Sequence, residues 1–574
     1  MIPPHVLELS AFCLESGIDV FYASPGSRSA PLLLALHRAG IHIEMLADER
    51  SMAFRAMGYS LASGKVVGIF CTSGTAVLNL GPAIAEAFYQ QARLFILTAD
   101  RPAELIDQHE GQSIRQTGIF SAHTVFSASI PSTDQHPAAL IHTRRLLNQA
   151  LYACLAPAGG PVHLNFPFRE PFYPKSALEF KPVESKKNAV NVQRPEARLP
   201  REELSFLIER WNAAPKRLLI AGQLLPDHAL SNACKALSEY AFCPVLGDAS
   251  HNLRGPHGLV LHSDHFQDGF LGSEECRADI ILSIGKGHVS KSVKKYLAEN
   301  PGTEHWHIQE EGYPADPFGN LSKVINAKPE WLITKLAEAS CFSPVENNSI
   351  SKSWFERWIQ AEAEVTAAMA KLLPEVQWSD LSVTAKFLET LPDQAILFLG
   401  NSMPIRYALW LSGISNGKQL DIYTNRGTSG IDGCLSTAIG IADAHPKKKV
   451  FVLIGDMGFL YDRNAFWTNR IPGNLKVLVL NNGGGNIFRI LPSSSGLPEM
   501  ADYFEMDQRQ TTEGTCLDAG IMRFTAKNEF EFESVLPEYF NHIGTSVLEV
   551  FTDKEVNHSE IQKFRSRIRQ VNGK

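Results

Sequence analysis

The chain's densest chemistry lies between Gly455 and Phe488. The apolar run Val450-Phe451-Val452-Leu453-Ile454 ends at Gly455-Asp456, and a second run, Val477-Leu478-Val479-Leu480, ends at Asn481-Asn482-Gly483-Gly484-Gly485. Runs this short and apolar read as buried strands, and open α/β sheets bind ligands beyond the carboxyl ends of such strands. Two neighbouring strand ends would gather the Asp456 carboxylate, the Asn482 amide oxygen and a glycine carbonyl around one small cation. A hard ion such as Mg²⁺ takes these ligands and completes its octahedron with phosphate oxygens and water. The glycines let backbone approach the phosphates closely. Singly, Gly-Asp is a turn and Asn-Asn-Gly-Gly-Gly a loop. Together, each after a buried strand, they point to a metal-bridged diphosphate.

Other polar clusters occupy similar positions. Ser24-Pro25-Gly26-Ser27-Arg28-Ser29 follows Val20 to Ala23, Thr72-Ser73-Gly74-Thr75-Ala76 follows Val66 to Cys71, and Asp100-Arg101-Pro102 follows Leu94 to Thr98, with Gly111-Gln112-Ser113-Ile114-Arg115-Gln116 just beyond. Gly400-Asn401-Ser402-Met403-Pro404-Ile405-Arg406 and Thr424-Asn425-Arg426-Gly427 sit at further strand ends. Guanidinium forks bind carboxylates through two parallel hydrogen bonds, so arginines gathered at ligand edges suit substrates with several carboxyl groups. Any one of them alone is more commonly an ion pair or helix-end contact. Asp48-Glu49, where the Ile41 to Leu46 strand passes into a helix, reads on its own as an acidic first turn. His109 and Glu110, just before Gln112, read as an extra proton-transfer group or as a solvated loop.

Holding these strand ends requires α/β layers. Val162 to Phe166, Leu218 to Ala221, Ile280 to Ile284, Ile396 to Leu399 and Val547 to Phe551 add further short runs between amphipathic segments, which predicts doubly wound parallel sheets. The 574 residues exceed one core. Phe172 to Pro200 and Ser340 to Ser353 read as exposed connections, so three domains are expected, at 1–180, 195–340 and 352–574. A net charge of -7 provides no basic field for nucleic acid or an anionic membrane, leaving anionic ligands to local arginines. The nine scattered cysteines argue against a disulfide framework or zinc site. With no apolar run of bilayer length and no basic-then-apolar leader, a reduced, cytoplasmic setting is expected, without membrane insertion.

The stretch from Gly455-Asp456 to Asn481-Asn482 resembles the signature of the thiamine diphosphate enzymes. The resemblance implies thiamine diphosphate held through Mg²⁺ or Mn²⁺, with Asp456 and Asn482 as side-chain ligands and the Gly484 carbonyl as the third. It implies pyrimidine-binding, central and diphosphate-binding domains in that order, with active sites between subunits of a homodimer or homotetramer. It also makes Glu49 the activating acid, a carboxyl group bonded to N1′ of the aminopyrimidine that favours the imino form. Thr72, Ser73 and Gly74 would lie near that ring.

S-P-G-S-R-S, T-A-D-R-P, I-R-Q, G-N-S and N-R-G-x-S-G-I-D-G closely resemble motifs of the 2-succinyl-5-enolpyruvyl-6-hydroxy-3-cyclohexene-1-carboxylate synthase family of menaquinone biosynthesis, over nearly the whole chain and weakest in the middle. This resemblance implies decarboxylation of 2-oxoglutarate and 1,4-addition of the succinyl-semialdehyde carbanion to isochorismate, both dicarboxylates. Carried over by position, Ser27, Arg28, Arg101, Gln112, Lys291, Asn401, Arg406 and Arg426 contact substrate or intermediate. Arg406 and Asn401 would take the succinyl carboxylate and its neighbouring hydroxyl, and Lys294 and Lys295 are alternatives to Lys291. Met403, Gly430, Ile431, Gly455 and Ile487 would line the cofactor, with Ile431 wedging it into a bent form. Ile487, Phe488 and Leu491 would form an apolar wall. The rival readings are a thiamine-dependent 2-oxoacid decarboxylase or carboligase with another acceptor, and a noncatalytic regulatory descendant.

Overall fold

A computed structural model of the protein describes residues 2–131, 136–170, 172–173, 189–255, 258–266, 270–300, 302–341, 345–414, 417–490 and 497–571. It contains three six-stranded sheets, each wholly parallel. The first comprises Val20–Ala23 (β1), His42–Met45 (β2), Val67–Cys71 (β3), Leu94–Asp100 (β4), Phe126–Ser129 (β5) and Val162–Pro167 (β6), in the order β2-β1-β3-β4-β6-β5. The second comprises Arg217–Ala221 (β7), Val245–Gly247 (β8), Leu259–Val260 (β9), Ile280–Ile284 (β10), Glu304–Gln309 (β11) and Lys323–Asn326 (β12), in the order β12-β11-β10-β7-β8-β9. The third comprises Ile396–Leu399 (β13), Asp421–Tyr423 (β14), Val450–Gly455 (β15), Leu475–Asn481 (β16), Met522–Ala526 (β17) and Ser546–Phe551 (β18), in the order β14-β13-β15-β16-β18-β17.

The expected doubly wound α/β class is therefore present three times. The first and third sheets repeat one strand order, and the second has the order 3-2-1-4-5-6 counted within itself. Central strands such as β3, β4 and β16 are buried at every position, which is why they read as unbroken apolar runs. The edge strands β2, β12 and β17 are only partly covered and carry charged residues, so their apolar signal is weak.

Between Ser340 and Ser353, where an exposed connection is expected, a helix starts at Val345 and runs to Leu372. Ser351 is buried and donates to the Pro215 carbonyl at 2.7 Å. Trp354 and Trp358 enter a core shared by the second and third sheets. Loop-like composition here marks the first turns of a bridging helix.

The first and third domains meet where helix Glu49–Ser63 packs on helix Cys434–Ala444. Glycine permits the approach: a Cβ on Gly58 would stand 2.0 Å from the Thr437 carbonyl oxygen, and one on Gly440 1.9 Å from that of Arg55. Beside this crossing the buried Arg55 pairs with Asp443 at 2.6 Å. Among the described residues no helix is long and apolar enough to cross a membrane.

Candidate active site

Strand order in the third sheet reverses between β13 and β15, and ligands of such sheets bind in the crevice at that switch point. A cavity of about 350 Å³ opens there, lined by Asn401, Met403, Ile431, Gly455, Asp456, Asn482, Gly484, Ile487 and Phe488. Gly430 adjoins it through its carbonyl, which accepts from Asn401 Nδ2 at 2.6 Å. Leu491 lies outside the described residues.

Asp456 follows β15 and is 3 % exposed. Its Oδ2 accepts from the backbone N–H groups of Gly483 and Gly484, both at 3.0 Å, and from Gln508 Nε2 at 2.8 Å. Burial pushes its carboxyl up to about 6 despite these bonds. Asn482 donates through Nδ2 to Asp380 Oδ2 at 2.9 Å, while its buried Oδ1 has no hydrogen-bond partner. A buried carboxylate and an orphaned amide oxygen at neighbouring strand ends form a donor set that fits a hard divalent cation. Gly484 has φ 149°, and a Cβ there would lie 2.6 Å from the Glu505 carbonyl oxygen, so no other residue fits.

Asp48 and Glu49 divide their work. Asp48 caps the helix by accepting from Ser51 N at 3.0 Å, whereas Glu49, half-buried at the first helical position, accepts from Asn79 Nδ2 at 3.2 Å. Glu49 lies at the corresponding end of the first sheet, where the turns after β1 and β3 touch: a Cβ on Gly26 would overlap the Thr72 side chain. Gly74, at φ 84°, donates its N–H to Gln116 Oε1 at 2.9 Å. Among the described residues, none from the first domain lines the 350 Å³ cavity.

The arginines fall into two separate groups. In the first domain, Arg28 is 6 % exposed and donates to the Phe168 carbonyl at 2.7 Å, and Arg101 is 8 % exposed and donates to Ser73 Oγ at 2.8 Å and to the Gly111 carbonyl. Ser27 is exposed beside Arg28. Gln112, at φ 53°, has its Cα within 3.1 Å of where a Gly74 Cβ would stand. Burial, then the neighbouring Arg101, lowers the Arg28 guanidinium. In the third domain, Arg426 donates to Asn401 Oδ1 at 3.2 Å and Arg406 to the Ser402 carbonyl. Burial and then Arg426 lower Arg406. Lys294 is lowered by burial and by its neighbours Arg426 and Arg406, so it belongs to this second group. Lys291 is exposed in the first turn of helix Lys291–Glu299.

Three buried acids in this framework gave no sequence signal. Asp380 is held by Thr552 Oγ1 at 2.6 Å and fixes the Asn482 amide. Glu86 of the first domain accepts from the N–H groups of Gly427 and Thr428 at 2.7 and 2.5 Å, anchoring the turn that carries Arg426. Asp248 of the second domain accepts from Val289 N at 2.6 Å and Ser290 N at 3.0 Å and supports Arg426 electrostatically. Each acts across a long sequence separation.

The N-terminal TPP binding domain of thiamine pyrophosphate enzymes matches residues 7–119, the middle domain of thiamine pyrophosphate 190–399 and the C-terminal TPP binding domain 407–550. A solved thiamin diphosphate-dependent enzyme from Mycobacterium smegmatis shares the fold, with a TM-score of 0.70 at 17 % identity, covering 96 % of this chain and 100 % of the other. Fold and site thus define a thiamine pyrophosphate enzyme.

The 2-succinyl-5-enolpyruvyl-6-hydroxy-3-cyclohexene-1-carboxylate synthase of Cytophaga hutchinsonii is 33 % identical, over 98 % of this chain and 99 % of that protein. Synthases of the same name from Flavobacterium johnsoniae (33 %, covering 96 % of each chain) and Desulfotalea psychrophila (32 %, covering 96 % of this chain and 98 % of that one) are also similar. The chain belongs to this synthase family.

Proposed function

We propose that the protein decarboxylates 2-oxoglutarate and adds the resulting succinyl-semialdehyde carbanion to isochorismate in a 1,4-addition. The products are 2-succinyl-5-enolpyruvyl-6-hydroxy-3-cyclohexene-1-carboxylate and CO₂, in menaquinone biosynthesis. The observation that carries this reading is the combination of an orphaned cation site with two arginine groups, one buried and one partly buried, one for each dicarboxylate. We assign residues 1–180 to the pyrimidine end of the cofactor, 352–574 to its diphosphate end and 195–340 to the central domain.

Asp456 carboxylate, Asn482 Oδ1 and the Gly484 carbonyl would hold Mg²⁺ or Mn²⁺ against the diphosphate. When bound, thiamine diphosphate supplies a thiazolium ring that acts as an electron sink for loss of CO₂. Glu49 would hold a proton at N1′ of the pyrimidine. Arg406 and Arg426, with Asn401 and Lys294, would orient the distal carboxylate of 2-oxoglutarate. Arg28 and Arg101, with Ser27 and Gln112, would hold isochorismate. Fixed guanidinium forks turn the meeting of two anions into a positioned reaction. Met403, Ile431, Ile487 and Phe488 give the cavity apolar walls that exclude water, the competing proton source for a carbanion.

Glu49 stands at the end of the first sheet, and no first-domain residue described lines the diphosphate cavity. We therefore assign the active site to the junction of two copies, each giving Glu49 to the other's diphosphate domain, so that a homodimer is the smallest competent assembly and a homotetramer a pair of these. The nine free cysteines, eight of them buried, suit a reduced cytoplasm.

The test is mass analysis of the product formed from 2-oxoglutarate and isochorismate with thiamine diphosphate and Mg²⁺. Release of CO₂ from 2-oxoglutarate with no condensation product would replace this reading with a decarboxylase or a carboligase of another acceptor.

A further inference from the structure

Arg28 and Arg101 are both buried, each has an Nε without a hydrogen-bond partner, and the two repel one another. Two guanidinium groups held this way need an anion. The chain brings carboxylates of its own: Glu170, then Glu110, then the buried Asp100 offset the charge on Arg28, and of these Glu110 also pairs with Arg101, its Oε1 standing 3.6 Å from Arg101 Nη2.

Glu110 reaches the pair from an exposed turn in an unusual conformation. Asp107, His109 and Gln112 have φ of 62°, 59° and 53°, three left-handed non-glycine residues within six positions. One end of the turn is tied by Arg115 to Asp107 at 2.9 Å and the other by Arg101 to the Gly111 carbonyl. Glu110 keeps 43 % of its side-chain surface exposed, so its ion pair is solvated and weak, and a carboxylate that engages a guanidinium fork through two hydrogen bonds outcompetes it.

We propose that Glu110 is an internal carboxylate that occupies the Arg28 and Arg101 pair until a substrate carboxylate displaces it, which makes Glu110 a specificity-determining residue for the acceptor acid. A ligand must offer more than a lone anionic charge to gain the pair.

The inference rests on the reading that Arg28 and Arg101 receive isochorismate. The experiment compares wild type, Glu110→Gln and Glu110→Asp, with KM measured separately for each substrate and isochorismate binding followed by calorimetry without 2-oxoglutarate. Glu110→Gln is expected to lower KM for isochorismate about two- to fivefold and to tighten binding equally, the scale of one exposed ion pair. It leaves KM for 2-oxoglutarate unchanged, and Glu110→Asp, which keeps the charge, stays close to wild type. An unchanged or raised KM in Glu110→Gln, or equal shifts in both variants, overturns the inference. If wild type makes no condensation product while isochorismate still binds more tightly to Glu110→Gln, the substrate reading falls and the internal carboxylate stands. If wild type makes the product and Glu110→Gln leaves KM unaltered, the reverse holds.

Discussion

Replacing Glu86 by Gln tests whether the turn carrying Arg426 is held from another domain. Glu86 is 1 % exposed. Its Oε1 accepts from Gly427 N at 2.7 Å and Gln90 Nε2 at 2.8 Å, and its Oε2 from Thr428 N at 2.5 Å and Thr428 Oγ1 at 2.6 Å. Glutamine keeps one oxygen and turns the other into a donor. The Gln90 amide and the Thr428 hydroxyl can rotate to new partners, but a backbone N–H cannot. One backbone N–H, of the partly buried Gly427 or the exposed Thr428, therefore loses its hydrogen bond to a charged acceptor, which costs about 1–3 kcal/mol. The bonds that remain lose their charge assistance, about 1 kcal/mol more. A total loss of about 2–4 kcal/mol follows. The assay is denaturant unfolding of wild type and Glu86→Gln, compared at matched slopes, together with KM for 2-oxoglutarate, which rises because Arg426 leads into the turn that Glu86 holds. An unchanged midpoint and an unchanged KM would refute the reasoning.

Glu49→Gln should reduce turnover more than about a hundredfold while thiamine diphosphate and Mg²⁺ still bind, as followed by calorimetry; near-normal turnover would remove Glu49 from the mechanism. Lys294→Met should raise KM for 2-oxoglutarate about tenfold, and Lys291→Met should leave it near wild type, because Lys294 shares its surroundings with Arg406 and Arg426. A pH effect is expected at His262, whose Nδ1 lies 2.7 Å from Glu362 Oε1 and whose Nε2 lies 2.6 Å from the Ser412 carbonyl oxygen. Burial alone would lower this imidazole, but Glu362 and the Ser412 carbonyl hold it above its ordinary value. Its stabilisation is complete below the unfolded value of 6.5 and is lost as pH rises through the folded one. The melting-temperature gap between wild type and His262→Asn should accordingly narrow as pH rises above 6.5.

How far the sequence discloses this site depends on where each residue's partners come from. Asp456 and Asn482 are legible because each ends a strand buried along its length, and chain order alone brings those two strand ends together. Which lysine faces the arginines is not, because Lys291, Lys294 and Lys295 differ only in helical phase, and the start of their helix is fixed by Asp248 and Asp264, which accept from the N–H groups of Ser290 and Ser292 at 3.0 and 2.9 Å. Glu86 and Asp248 are invisible for a stronger reason: they come from the first and second domains and act on a turn of the third, so nothing local marks them. The bridging helix from Val345 is hidden by its composition, since Asn347, Asn348 and three serines precede the tryptophans that bury it.

The same packing bears on how many copies an active site needs. The first and third sheets share one strand order and present equivalent crevices, the first between the ends of β1 and β3 and the third between the ends of β13 and β15. Within one chain these domains are joined through helices Glu49–Ser63 and Cys434–Ala444, whose glycines allow backbone to touch backbone. Asp48 and Arg50 on either side of Glu49 are engaged by this chain's own Asn464 and Tyr461, at 2.8 Å each. Glu49 itself turns instead to Asn79, beside the Thr72-Ser73-Gly74 turn. A crossing that places neighbours of Glu49 on one side and its carboxylate on the other supports the proposal that this carboxylate serves the diphosphate crevice of a second copy. The two glycines at the crossing are thus as necessary to the proposed chemistry as the acid, because a side chain at either would shift the helix that aims it.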